Sequence, residues 1–188
     1  MIDNETRRRI EGAIFLVLFC LTIPAANWMI GHVGTACSPN GPCVLPVAPG
    51  LMAPSGVMMV GAALVLRDLV QRRLGAGFGL GAIVVGAALS WALAPAALVI
   101  ASTAAFLLSE FADFAVYTPL ARRRLVLAVV ASSIVGLVVD SFVFLWLAFG
   151  SLQFLEGQII GKLWMVLIAT PLIAYLRRRD ERLGLSPA

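Results

Sequence analysis

The chain contains 188 residues, of which 61% are hydrophobic and 13% are charged, and its mean hydropathy is +0.97. Soluble domains are roughly half apolar and roughly a quarter charged, so this composition excludes a soluble globular protein and predicts an integral membrane protein. The net charge of +4 does not indicate nucleic-acid binding, because the arginines occur in short clusters beside apolar runs.

Six apolar segments follow one another along the chain, and each is close to the roughly 20 residues that a helical membrane crossing requires. Hydropathy places them at 12–30, 54–70, 76–93, 96–117, 125–149 and 155–176. The third and fourth segments form one nearly continuous apolar run, which Pro95 divides because proline removes a backbone donor and disfavours helix in the preceding residue. We therefore predict an all-α integral membrane protein, a bundle of six transmembrane helices in a single domain spanning 1–188.

The basic residues predict which way these helices run. Lys and Arg accumulate in short cytoplasmic loops, and here the arginine clusters precede the first segment and then occupy alternate connections. The clusters lie at 7–9, 72–73, 122–124 and 177–182. Both termini are therefore expected in the cytoplasm, and 31–53, the longest connection without Lys or Arg, is expected to be the main external loop.

Two cysteines, Cys37 and Cys43, lie in the 31–53 loop and are called the loop cysteines below. In an oxidising compartment they could form a disulfide that closes a small ring. The sequence leaves two alternatives, a disulfide or a pair of free thiols. No metal site is expected, because His32 is the only histidine and the spacing matches no common zinc pattern. No cofactor is expected either.

Ionisable side chains inside the apolar segments are the strongest functional signal. Each costs roughly 2.5–3.5 kcal/mol at bilayer depth, so such residues normally face the bundle interior and mark a functional pathway. At about 1.5 Å per residue, one layer falls in the outer half of the bilayer and contains Asn27, Asp140 and Lys162. A second layer falls in the inner third and contains Arg67, Asp68, Glu110 and Asp113.

These two layers suggest a pairing scheme. Lys162 is expected to pair with Asp140, and Arg67 with Asp68 or Glu110, while Arg72 is expected in another structural ion pair. Two carboxylates would then lack a fixed cation, so they are expected to be protonated or to await a cationic partner.

The neighbours of these charges indicate the kind of ligand. Glu110, Asp113 and Tyr117 lie at i, i+3 and i+7 and share one helical face. Phe144 lies one turn from Asp140, and Gln158 one turn from Lys162. Carboxylates beside aromatic rings suit a small, flat, polar heterocycle, because a carboxylate can accept from adjacent N–H donors of a guanine-like edge while a ring stacks on its face. Glu110 is the better ligand candidate, and Asp113 is expected nearer the cytoplasmic exit, as a gate or paired with a cytoplasmic arginine.

Several stretches resemble the queuosine-precursor transporters, a membrane family also described as vitamin-uptake-transporter-like. The similar stretches are Asn27-Trp28, Asp68 to Gly75, Glu110 to Tyr117, Gly136 to Phe144, and Gln158 to Lys162. Arg67 and Leu137 depart from the family pattern, which has small or polar residues there. The resemblance implies import of 7-deazaguanine precursors, the cyano and aminomethyl compounds, across the bacterial inner membrane for tRNA modification.

The residues and the resemblance together define the candidate substrate-binding set: Asn27, Asp68, Glu110, Asp113, Tyr117, Asp140, Phe144, Gln158 and Lys162. A purine-like heterocycle and the lipid bilayer are the expected partners, and a homo-oligomer is left open.

Other functions remain as alternatives. The chain could be the substrate-binding subunit of an ATP-driven vitamin importer, a transporter of another small heterocycle, or a scaffold whose charges only orient helices. An enzyme is not expected, because Asp113 and Asp140 fall at different depths and His32 lies outside the helices.

Overall fold

The computed structural model describes residues 3–37, 42–94, 96 and 98–185, and this part of the chain contains six helices. They are α1 (Asn4–His32), α2 (Val57–Leu74), α3 (Ala76–Leu93), α4 (Val99–Ala121), α5 (Leu125–Phe149) and α6 (Leu155–Leu183). The predicted bounds of α3 and α5 agree with the structure. In contrast, α1 begins before its predicted apolar segment, at Asn4, and α6 continues past its predicted apolar segment to Leu183. Asp3 caps α1 by accepting from the Thr6 N–H at 3.1 Å, and this hydrogen bonding lowers the pKa of Asp3.

Five of the six helices, all except α2, are long and apolar enough to cross a membrane. Their outward faces carry large apolar side chains, for example Val84, Ile100 and Ile168, each more than 60% exposed. A continuous apolar exterior of this kind is what a bilayer requires.

The exception, α2, is the central helix of the bundle. It contacts all five other helices, and its buried residues include the charged side chains Arg67, Asp68, Arg72 and Arg73. These four charges lower the apolar character of α2. They are tolerated because the helix faces protein, where partners are available, rather than lipid.

A small antiparallel sheet lies in the 31–53 loop and ends at Pro54, where the sequence predicted only a loop. Its order is β1-β2-β3, with β1 at Ala36–Cys37, β2 at Cys43–Ala48 and β3 at Leu51–Pro54. Gly50 adopts a φ of 75° in the turn between β2 and β3, a conformation that favours glycine. The indole N–H of Trp164 donates to the Val47 carbonyl at 3.0 Å and fastens the sheet to α6. The all-α prediction therefore holds for the bundle but omits this sheet.

The two ends of the bundle differ in chemistry. At the "sheet end" the strands pack against α1 and α6, and β3 leads into the start of α2. The "arginine end" carries the four arginine clusters, and contacts such as that of Arg8 with the Arg73 carbonyl at 3.4 Å hold α1 against α2 there. Gly75, with a φ of 95°, makes the one-residue connection from α2 to α3. At the sheet end α3 stops at Leu93, next to the predicted break, and Pro95 itself lies outside the described residues.

A close approach between α2 and α6 brings the charged residues of these helices together. A Cβ added to Gly61 would lie 2.6 Å from the Lys162 carbonyl oxygen, so only glycine permits this spacing. Below it, Leu64, Val65 and Leu69 of α2 pack in an apolar core with Leu137 and Val166.

Candidate functional site

A cavity of about 100 Å³ lies between the sheet end and the middle of the bundle. All six described helices and the end of β3 contribute to its wall. The α4 contribution is a single stripe that descends from Leu98 through Ser102 and Phe106 to Glu110. The other polar or aromatic side chains that line the cavity are Thr22, Asn27, Ser90, Ser109, Asp140, Phe144, Gln158 and Lys162.

Lys162 is held in the cavity wall by three acceptors. Its ammonium nitrogen lies 2.6 Å from Asp140 Oδ2, 2.7 Å from Ser141 Oγ and 2.7 Å from Gln158 Oε1. The side chain is only 1% exposed, and the three contacts match its three N–H donors. Lys162 is therefore a fixed element of the wall, and it orients both Asp140 and the Gln158 amide.

Beneath the cavity, three carboxylates surround one arginine. The Arg67 Nε lies 2.9 Å from Glu110 Oε2, its Nη1 lies 3.0 Å from Asp68 Oδ1, and its Nη2 contacts Asp113 Oδ1. Gln71 Oε1 accepts from Nη1 at 3.1 Å. The guanidinium also lies 5.7 Å from the ring centroid of Tyr117, within cation–π range. We call these six residues the "Arg67 cluster".

Glu110 joins the two sites. It contacts Arg67 through Oε2 and is also part of the cavity wall. The other residues of the Arg67 cluster do not line the cavity. Glu110 is therefore the one member of the described cluster that a ligand in the cavity can reach directly.

The structure brings six of the nine sequence-predicted substrate residues to the cavity wall: Asn27, Glu110, Asp140, Phe144, Gln158 and Lys162. It places the remaining three, Asp68, Asp113 and Tyr117, in the Arg67 cluster, where each is fully buried. The pairs expected from depth are present, Lys162 with Asp140 and Arg67 with both Asp68 and Glu110.

The expectation for Asp113 needs correction. The structure does not pair it with an arginine from the cytoplasmic clusters, because Arg67 of the neighbouring helix engages its carboxylate in the bundle interior. Its role as a gate stays a prediction.

Sequence reasoning missed the hydroxyl groups of the cavity. Thr22 and Ser109 line it and donate to carbonyls of their own helices, at 2.6 Å and 3.0 Å. Their oxygens can still accept a hydrogen bond from a ligand. Serine and threonine are also common in membrane helices for packing, so the sequence alone carried little signal for them.

A second ion network closes the arginine end. Asp180 of α6 accepts from Arg72 at 2.9 Å and from Arg73 at 2.8 and 2.9 Å. Glu11 of α1 adds contacts to Arg73 at 2.9 Å and to Arg179 at 2.6 Å. Arg72 is thus in a structural ion pair, and its partner Asp180 was hidden from sequence reasoning inside an arginine cluster.

The loop cysteines form a disulfide, with their Cα atoms 4.0 Å apart. They pair across β1 and β2, where Cys37 and Cys43 are register partners. Across residues 3–37, 42–94, 96 and 98–185, no group of three or more His, Cys, Asp or Glu side chains is arranged to hold a metal ion.

Comparison with known proteins gives one match. The model of a family described as "putative vitamin uptake transporter" matches residues 87–176, from the middle of α3 into α6 and just under half of the chain. The matched region contains the stretches around Glu110, Asp140 and Lys162. No curated protein and no solved structure matches the chain. The helices and this match together support a multi-pass membrane protein that is similar to the vitamin uptake transporters.

Proposed function

We propose that this protein is a membrane transporter that imports queuosine precursors, 7-deazaguanines with a cyano or aminomethyl group, across the bacterial inner membrane. The observation that carries the proposal is the cavity inside the bundle, between its sheet end and its middle, lined by carboxylates, amides and aromatic rings. Such midplane sites, formed between helices, are typical of secondary transporters. The match to a vitamin uptake family supports uptake of a small molecule as the general activity.

The size and shape of the cavity favour a small ring system. Its volume of about 100 Å³ is below the roughly 300–1,000 Å³ of pockets for drug-sized ligands. Phe106 and Phe144 offer aromatic surfaces from α4 and α5, on which a flat heterocycle can stack. A lipid or a peptide would need a longer groove.

The polar groups of the cavity suit the edge of a guanine-like base. Glu110 offers carboxylate oxygens to adjacent N–H donors, as Glu and Asp do for nucleobase amino groups. The Gln158 oxygen already accepts from Lys162, so its amide N–H₂ is the group presented to a ligand carbonyl. Asp140 Oδ2 is likewise engaged by Lys162, which leaves Oδ1 for an aminomethyl group. Together these groups provide both acceptors and donors, which a bare ion does not need.

The two ends of the bundle suggest how transport would proceed. The cavity lies toward the sheet end, whereas the Arg67 cluster and the Asp180 network seal the path to the arginine end. With the arginine end in the cytoplasm, as the arginine clusters predict, this conformation receives ligand from outside. Release to the cytoplasm would require both networks to open.

A binding titration on the purified protein tests the proposal. The wild type should bind 7-cyano-7-deazaguanine, and Glu110→Gln should weaken the affinity by at least tenfold, because an amide replaces one acceptor oxygen with a donor. Glu156→Gln is the matched control, since Glu156 lies exposed in the first turn of α6. Equal affinity of the wild type and Glu110→Gln would contradict the proposed site. Binding of a different heterocycle instead would retain the site and change the substrate.

A further inference from the structure

The Arg67 cluster contains more negative charge than its one cation can balance. Asp68, Glu110 and Asp113 all contact Arg67, and all four side chains are at most 2% exposed. If all three carboxylates were ionised, the group would carry a net charge of −2 among buried side chains. Uncompensated buried charge is costly enough that a carboxyl group takes up a proton instead.

Among the described residues, the other cations packed around the cluster are already engaged by carboxylates. The helices packed around the cluster contribute Lys162, which Asp140 engages, and Arg72 and Arg73, which Asp180 engages. On α1, Glu11 contacts Arg73 and Arg179. The other polar groups of the site are neutral: Gln71, Tyr117, Thr118, Ser132 and Ser133.

The geometry of Asp68 and Asp113 points directly to a proton. The two carboxyl groups contact the two terminal nitrogens of the same guanidinium and so lie side by side, although ionised carboxylates can only accept hydrogen bonds and repel each other. Asp113 Oδ2 is fully buried with no hydrogen-bond partner among the described residues. Asp68 Oδ1 lies 3.0 Å from Arg67 but also lacks hydrogen-bond geometry. One hydrogen between the pair converts a repulsive contact into a hydrogen bond, as in other carboxyl pairs that share a site.

We infer that Asp68 and Asp113 form a proton-binding site, connected through Arg67 and Glu110 to the ligand cavity. When the pair holds a proton, the positive charge of Arg67 stabilises the ionised carboxylate of Glu110. When a cationic aminomethyl ligand occupies the cavity beside Glu110, it supplies the missing positive charge, Arg67 can compensate Asp68 and Asp113 instead, and the pair releases its proton to solvent. Ligand and proton therefore oppose each other's binding, a reciprocal linkage between two sites. The linkage, although not the proton site itself, rests on the proposed function.

Infrared spectroscopy of the ligand-free protein in lipid nanodiscs tests the proton site without any substrate. At neutral pH we expect a band from the carbonyl stretch of a protonated carboxyl group. Labelling aspartate with ¹³C should shift this band, which shows that it does not arise from Glu110. Asp68→Asn should remove the band, whereas Asp180→Asn, which alters another buried aspartate that two arginines engage, should retain it. If a variant fails to fold, the isotope shift in the wild type still decides. Absence of the band, or a band that aspartate labelling does not shift, would overturn the inference.

The linkage is measured with 7-aminomethyl-7-deazaguanine, whose aliphatic amine stays cationic around neutral pH. Saturation should reduce the aspartate band, and affinity should rise with pH by up to about tenfold per unit for one released proton. Asp68→Asn, which mimics the protonated pair, should bind without this pH dependence. Binding by the wild type that is independent of pH would overturn the linkage. An aspartate band in a protein that binds no deazaguanine would contradict the proposed function and leave the proton site intact.

Discussion

Replacement of Lys162 by methionine should destabilise the folded protein strongly, because it leaves a buried carboxylate without its cation. The ammonium group contacts Asp140, Ser141 and Gln158 at 2.6 to 2.7 Å, and Asp140 is only 8% exposed.

The expected magnitude follows from two opposing terms. At 2.6 Å and an effective dielectric constant of about 20, the attraction between the charges is about 6 kcal/mol. Desolvation costs several kcal/mol for each ion. The ion pair as a whole therefore adds little to the free energy of unfolding compared with a pair of neutral side chains. Loss of one partner removes the attraction and keeps one desolvation cost, which amounts to about 3–5 kcal/mol.

A double-mutant cycle measures this directly. Lys162→Met and Asp140→Asn should each lower the free energy of unfolding, and the double variant should lose at least about 2 kcal/mol less than the sum of the two. Denaturant unfolding in detergent micelles provides the free energies, with Glu156→Gln as the control that changes little. Strict additivity of the two substitutions would refute the buried pair.

Three further predictions concern other parts of the fold. Asp180→Asn should accelerate hydrogen exchange at the end of α6, because it weakens contacts to two arginines of α2. Glu181→Gln, which alters an exposed pair with Arg177, should not, and equal exchange in both variants would contradict the network. Gly61→Val should abolish deazaguanine binding, because the larger side chain forces α6 away from α2. Gly77→Val, at a position with open space around it, should bind normally, and unimpaired binding by Gly61→Val would argue against the close approach. Under denaturing conditions without reductant, alkylation should modify one cysteine of three, since the loop cysteines form a disulfide, and all three after reduction; three modified cysteines before reduction would show free thiols.

Hydropathy determined the helices well because lipid imposes the same requirement along each span. The bounds of α3 and α5 agree with the prediction because their apolar runs end in glycine, proline or arginine. The ends of α1 and α6 do not agree, since their polar extensions are helical for a different reason: they are held by ion pairs such as Glu11 with Arg179 at 2.6 Å. Those pairs depend on tertiary contacts that hydropathy does not register.

The sequence predicted which face of α4 carries the candidate site, but not at which depth in the bundle the cavity ends. The spacing of Glu110, Asp113 and Tyr117 correctly put all three toward the bundle interior. An α-helix rises about 1.5 Å per residue, so about 4.5 Å along α4 separates Glu110 at the cavity from Asp113 below it. Only the packing of Arg67 between α2 and α4 reveals where the cavity ends, and a single sequence does not contain that information.

Uptake into cells is the most direct test of the central claim, that the protein imports 7-deazaguanines. Cells that lack both queuosine-precursor synthesis and their own importer should accumulate labelled 7-cyano-7-deazaguanine and restore queuosine in tRNA when they produce the wild type. Production of Glu110→Gln at the same membrane level should give strongly reduced uptake. Accumulation no greater than in cells with an empty vector, despite normal membrane levels of the wild type, would contradict the account.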